Sequence, residues 1–217
     1  DSKIFVNLMA SSSIENTQMA SYDENLIQPL ENSLKDDAKN KLVFIHMMGS
    51  HTQYNKRYPS NFNKFNSASD SKANIIDSYD NSILYNDYII DRIFGGLKEY
   101  GMNHPDVRIS ALYFSDHGEN VYDEGNYFGH DYSGDIPHSN VEIPFIFWFS
   151  QSQINYLKKS GNFHERDLHT PYMIDDLFHT IIDLADVRTG CFEPERSFVN
   201  SKYNSNRRRI LENKRPY

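Results

Sequence analysis

A chain of 217 residues that is 38% hydrophobic and 24% charged carries enough apolar material for a buried core, which excludes an unstructured tract and a membrane-embedded bundle. A formal net charge of −8 argues against a nucleic-acid partner, since the one dense basic run is Arg207-Arg208-Arg209 near the C-terminus. The single cysteine, Cys191, excludes an internal disulfide and reads as a small buried or half-buried residue.

In chain order, Ile4-Phe5-Val6 is already strand-like, so the chain reads as a piece cut from a longer protein, in which targeting information cannot be read. No apolar stretch approaches the roughly 18 residues of a membrane helix. Lys41 to Met48 (KLVFIHMM) reads as a strand: short, β-branched and aromatic, and apolar on both faces, as in a sheet covered on both sides. The Asn- and Ser-rich stretch from Ser60 to Asn74 reads as a loop. From Asn74 to Tyr100 a helix is predicted, because Ile76, Ile83, Ile90 and Leu97 recur every seven residues with Tyr79 and Phe94 in the same stripe. Gly101 is its expected stop.

Ile109 to Ser115 (ISALYFS) and Val141 to Ser150 (VEIPFIFWFS) are further strands. The second is expected to begin at an edge or bulge, because Pro144 has no N–H to donate. Thr170 as cap and Pro171 at the first helical position predict a helix with Leu177, Ile181 and Leu184 on one face. Residues 197–217 read as a peripheral tail whose arginines are solvated or touch anionic lipid headgroups. Strand and helix alternate, so the predicted fold is a three-layer α/β/α sandwich with ligands beyond the carboxyl ends of the strands.

Three of those positions carry chemistry. Asp116-His117-Gly118-Glu119 follows ISALYFS directly, and the adjacent carboxylate and imidazole can both turn toward one cation if Gly118 lets the backbone kink. Oxygen and nitrogen donors without thiolate suit Zn²⁺ or Mn²⁺. His51 follows KLVFIHMM after Gly49-Ser50, His130 lies 14 residues past Asp116, and His138 stands just before the third strand. A lone histidine is usually a hydrogen-bonded structural residue, and an Asp-His pair is often only a surface turn. Several strand-edge histidines on one rim point instead to a metal or phosphate site.

These segments also carry a resemblance. Phe44-Ile45-His46-Met47-Met48-Gly49-Ser50-His51 with Arg57-Tyr58-Pro59, then Tyr79-Asp80-Asn81-Ser82-Ile83-Leu84-Tyr85-Asn86-Asp87, then Ser115-Asp116-His117-Gly118-Glu119, then Ile143-Pro144-Phe145-Ile146-Phe147-Trp148, stand in the order found in bacterial phosphoethanolamine transferases. Tyr22-Asp23-Glu24 and Asp176-Leu177-Phe178-His179-Thr180 are similar to words of that family too, so the resemblance runs from about Tyr22 to Asp186. It implies a fold of the alkaline phosphatase and sulfatase type that lacks its N-terminal, nucleophile-bearing strand. Residues 1–217 would then be part of a single periplasmic catalytic domain.

Carried over position by position, the resemblance makes Asp116 and His117 ligands of a catalytic zinc. His51 would contact the phosphate or assist proton transfer. His130 best matches a further family histidine, with His138 as its rival. Glu119 would support the loop, and Asn81 and Asp87 would be structural or supporting. The threonine nucleophile and a glutamate ligand of the family precede the matched region, so this piece is expected to be inactive alone.

The implied reaction moves phosphoethanolamine from phosphatidylethanolamine to a lipopolysaccharide sugar (core or lipid A) or another envelope glycan. It would occur at a bacterial inner membrane, anchored by helices upstream. Lipid A-modifying relatives carry several disulfides that this chain cannot form, which tilts the expected acceptor toward core sugars or another glycan. Three rivals stay open: a sulfatase or phosphodiesterase-type hydrolase on the same rim, a glycerol-phosphate transferase, and a binding module whose site has decayed.

Overall fold

The computed structural model describes residues 2–8, 22–67, 70–131, 135–163, 165 and 168–211. They belong to two units: one is the chain up to Asn103 with Tyr113–Ile146, the other is His104–Leu112 with the chain from Phe147 onward. Strands and helices are mixed, so the class is α/β, as the alternation predicts.

In the first unit, β1 (Ser2–Leu8) runs parallel to β2 (Asn40–His46), in register from Ser2 against Asn40 to Leu8 against His46. A parallel pair needs a crossover, and α1 (Ile27–Lys35) lies within it, burying Ile27 and Leu30 one turn apart. The long helix α2 spans Ser71–Asn103. Gly101 does not stop it. It ends where His104 precedes Pro105, because a residue before proline is pushed out of the helical region.

The core of this unit is Ile27, Tyr58, Tyr85 and Ile89, with Tyr22, Met47, Phe62 and Ile93 packed against it. Phe62 meets Tyr85 edge-on, with ring centroids 4.9 Å apart. The seven-residue stripe of the sequence is only half correct: Ile90 and Leu97 are buried, but Ile83 is 43% exposed. At about 100° per residue, Asn81, Ser82, Tyr85 and Ile89 share a face that lies far around the helix from Ile83, and that face is the buried one.

β3 (Ser110–Phe114) pairs with β6 (Phe145–Phe149), which starts directly after Pro144, where the missing N–H costs no ladder bond. Between them in sequence, β4 (Asn120–Val121) and β5 (Phe128–Gly129) form a short antiparallel hairpin.

In the second unit, α3 (Gln151–Ser160) was not foreseen. Ser150 caps it, accepting from the Gln153 N–H, and Gly161 closes it at φ 73°. The last helix, α4 (Leu177–Leu184), does not start at Pro171, because Met173 is extended and a 3₁₀ turn at Ile174–Asp176 leads into it. Its most buried residues are His179 and Thr180 rather than the leucine stripe. The hydroxyl of Thr180 accepts from the Phe198 N–H at 2.9 Å, and Nδ1 of His179 accepts from the Glu193 N–H at 3.1 Å.

Those bonds bring in the segment expected to be a peripheral tail. Ser197, Phe198, Val199, Asn200 and Tyr203 are buried, and the Phe198 and Tyr172 ring centroids lie 4.8 Å apart. The arginine run alternates rather than trailing into solvent. Arg207 donates to Asp175 at 2.6 Å and to buried Asp176 at 2.9 Å, Arg209 donates to the Pro171 carbonyl at 2.6 Å, and Arg208 is exposed. Arg196 adds a second guanidinium on Asp176, whose charge could not be buried without such partners. Cys191, expected to be at least half-buried, is exposed. Among the described residues no helix is long and apolar enough to cross a membrane.

Candidate functional site

The loop that leaves β3 is Ser115-Asp116-His117-Gly118-Glu119, and its shape is set locally. The Ser115 hydroxyl donates to the His117 carbonyl at 2.7 Å, and the His117 N–H donates to Oδ1 of Asp116 at 3.2 Å. Gly118 donates its N–H to the Asn140 carbonyl at 2.9 Å. A Cβ on Gly118 would lie 2.1 Å from the Ser139 carbonyl oxygen and 2.9 Å from that of Glu142. The glycine is therefore needed for close backbone approach; its φ is not left-handed, so the kink expected of it is not its role. Gly118→Ala is expected to cost about 1–3 kcal/mol, the range for overpacking. Equilibrium denaturation measures it, and an unchanged midpoint would remove this account of the loop.

The hairpin β4–β5 then returns the chain to the same place. Asn120, fully buried, donates to the carbonyls of Glu124 at 3.1 Å and Tyr127 at 2.8 Å, and accepts from the Glu124 N–H at 2.8 Å. This clamp delivers His130, the residue after β5, beside Glu119: Nδ1 of His130 lies 3.0 Å from Oε2 of Glu119. The other oxygen, Oε1, accepts from the hydroxyl of Tyr54. The rings of His117 and His130 stand 4.1 Å apart at 42°. One ligand atom from each of His117, Glu119 and His130 lies within 4.8 Å of the others. Glu119 is the inner member, its side chain 10% exposed, whereas those of His117 and His130 are 41% and 40% exposed.

Nδ1 of His117 lies 2.8 Å from the Gly118 carbonyl, which can only accept, so in the neutral ring Nδ1 carries the proton and Nε2 keeps its lone pair. Tyr54 is a dependable donor, because burial first, and the Glu119 carboxylate after it, push its hydroxyl well above the usual tyrosine range. Tyr79, whose ring meets Tyr54 edge-on at 5.1 Å, is pushed up to about 12, by burial first and then by Glu119. Imidazole and carboxylate donors without thiolate suit zinc, and Nε2 of His117 with Oδ1 of Asp116 3.9 Å from it could share one ion, with Glu119 and His130 beside them.

The other expected site residues stand outside the group formed by His117, Glu119 and His130. Asp116 is 83% exposed, its Oδ1 3.9 Å from Nε2 of His117. His51 is exposed, in a loop whose shape depends on Asp23, a buried carboxylate that accepts the N–H groups of Met48 and Gly49 at 2.8 Å each. Burial raises the carboxyl of Asp23 above its ordinary range, and the two N–H bonds oppose that rise. His138 is exposed at the start of the 3₁₀ turn His138–Asn140. Glu119, expected to support the loop, lies within reach of both His117 and His130. Its position two residues after His117 was a usable signal, since i and i+2 share a face of extended chain. Tyr54 and Asp23 had no such signal.

Known proteins resemble this chain in sequence and in fold. Residues 2–187 match the family model described as Sulfatase. Phosphoethanolamine transferase EptC of Escherichia coli (strain K12) is 31% identical over 206 residues, which is 90% of this chain and 34% of that protein. The crystal structure of the C-terminal periplasmic domain of E. coli EptC in complex with Zn superposes with a TM-score of 0.74 at 26% identity, over 94% of this chain and 63% of that one. The corresponding domain of EptC from Campylobacter jejuni gives 0.70 at 31% identity, over 94% of this chain and 68% of that one. The chain thus spans about a third of the length of the curated relatives it matches.

Proposed function

This chain belongs to the sulfatase family, and from that premise we propose that it forms part of the catalytic domain of a phosphoethanolamine transferase, on the periplasmic side of a bacterial inner membrane. The two units are read as parts of one sulfatase-like domain, and residues 1–217 alone are expected to be inactive. The observation that carries the reading is the meeting of His117, Glu119 and His130 within 4.8 Å beyond the end of β3. Similarity to transferases of that name, over 90% of the chain for E. coli EptC, supports the reaction class.

In this reading phosphatidylethanolamine is the donor and a lipopolysaccharide sugar, in the core or lipid A, or another envelope glycan is the acceptor. A hydroxyl attacks the phosphorus, the bond from phosphorus to the diacylglycerol oxygen breaks, and that oxygen takes a proton. The acceptor hydroxyl then attacks the same phosphorus and frees the nucleophile. The nucleophile, a threonine by family resemblance, and a glutamate ligand lie outside this chain, as do the membrane helices.

Asp116 and His117 hold zinc in this scheme, and His51 and His130 face the phosphate, with His138 the alternative to His130. Zinc, when bound, lowers the pKa of an attached hydroxyl and offsets negative charge on phosphoryl oxygens. The sequence admitted manganese as well; zinc alone is proposed, in line with the zinc complex among the solved relatives. Where Nδ1 of His130 donates to Glu119, only Nε2 is left to exchange the proton of the displacement.

The test is product analysis of the full-length protein with phosphatidylethanolamine labelled in its ethanolamine and with purified lipopolysaccharide. Labelled glycan together with diacylglycerol is the expected result. The family description favours one second reading, a sulfatase or phosphodiesterase-type hydrolase. Label released only as soluble phosphoethanolamine would establish that reading and end the first.

A further inference from the structure

We infer that Tyr54 is a positioning residue: through Glu119 it holds His130 with Nδ1 turned into the protein and Nε2 turned toward the reacting group. The inference rests on the proposed role of His130 and adds how that role is set. Tyr54 is 3% exposed and sits in the 3₁₀ turn Tyr54–Lys56, far in sequence from the loop it serves. Its ring is wedged between those of Tyr79, at 5.1 Å and 73°, and Phe128, at 6.3 Å and 67°. Phe128 belongs to β5, two residues before His130, so the same ring contact steadies both ends of the relay.

Each oxygen of Glu119 therefore faces a donor of the protein: Oε1 the Tyr54 hydroxyl, and Oε2 Nδ1 of His130 at 3.0 Å. A carboxylate accepts and cannot donate, so the proton of that second contact resides on Nδ1. His117 reaches the same state by another route, with its Nδ1 spent on the Gly118 carbonyl at 2.8 Å. The two rings at the mouth then present Nε2 lone pairs, while Glu119 stands behind them at 10% exposure. This makes Glu119 an orienting carboxylate rather than a metal ligand.

The rival arrangement has Glu119 Oε2 and His130 Nδ1 both on the cation, and the two differ in which nitrogen is protonated. The full-length protein, labelled with ¹⁵N-histidine and kept at a pH where imidazole is neutral, reports this by NMR before and during zinc addition, with the His130 signals assigned from His130→Gln. The expected spectrum shows His130 protonated at Nδ1 both before and during zinc addition. Tyr54→Phe deletes one hydroxyl and keeps the ring, which frees the Glu119 carboxylate to turn away from His130, so the variant should mix the two tautomers. It should lower kcat roughly 10-fold with KM changed less than about 2-fold, because orientation rather than substrate affinity is lost.

Glu119→Gln provides a second variant and should mix the tautomers as Tyr54→Phe does. A bare Nδ1 in the unmodified protein, or a zinc response at Nδ1, overturns the inference. So does a Tyr54→Phe protein indistinguishable in tautomer and kcat. The expected tautomer in a protein that transfers no label would support this positioning while ending the proposed function.

Discussion

Replacing His130 with glutamine in the full-length protein is expected to lower phosphoethanolamine transfer by roughly 10²- to 10⁴-fold, the usual contribution of a positioned acid–base group. Glutamine can still offer an N–H toward Glu119 but has no second nitrogen with a lone pair, so the outward-facing function is lost and the inward contact survives. Folding should hardly notice, because the His130 side chain is 40% exposed and lies after β5 rather than in the core. The hairpin that delivers it is clamped independently by Asn120, whose bonds to Glu124 and Tyr127 do not involve the imidazole.

The measurement is initial rate with labelled donor, alongside thermal melting of the same preparation. His138→Gln is the matched control, since His138 stands outside the group formed by His117, Glu119 and His130. Transfer within about 5-fold of the unmodified protein for His130→Gln, with a large loss for His138→Gln, would shift the proton-exchange role to His138.

Replacing Asn81 with leucine is expected to destabilise the protein by about 3 kcal/mol without touching the candidate site. Asn81 has no exposed surface, yet its side chain is an amide in the middle of α2. Oδ1 accepts from the N–H groups of Lys64 at 2.7 Å and Phe65 at 2.9 Å. Nδ2 donates to Oδ1 of Asn63 at 3.1 Å and to the Phe65 carbonyl at 2.9 Å. One side chain thus does for residues 63–65 what a strand partner would do for an extended segment.

Leucine has a similar volume but leaves those groups unpaired, at about 1–3 kcal/mol for each one that stays buried. The segment is partly open, so water recovers some of the loss, and the expected total sits near the low end of the sum. Denaturant titration should show a lower midpoint at unchanged slope, since the surface exposed on unfolding is the same. A loss under about 0.5 kcal/mol would mean the loop is held by something other than this amide.

The resemblance reading assigned Asn81 a structural or supporting part, and the structural one is what its bonds show. Other sites were legible to different depths. His117 and His130 were identified as candidates because a strand end followed by ligating side chains is a local pattern. Glu119 lay in the same quoted word, but its contact with His130 was not legible there, because sequence does not say whether the chain between positions 119 and 130 folds back. That return depends on the β4–β5 hairpin, where paired strands total only four residues and carry almost no periodic signal. Arg207 and Arg209 read as solvated because terminal charge runs usually are; buried Asp176 altered that outcome, and nothing near position 207 announces it.

By itself the sequence determined the class of the fold, the three main strands, the long helix, and the kinds of side chain gathered beyond β3. Each of these is encoded in the spacing and chemistry of neighbouring residues, which local sterics and burial translate directly into structure. Only the tertiary structure decided that Tyr54 reaches Glu119 across 65 positions, that Gly118 is needed for close packing against residues 139–142, and that Glu119 and His130 meet His117 within 4.8 Å. Such contacts are set by how separate loops return to one point in space, and no repeat or pattern along the chain records a distance between loops.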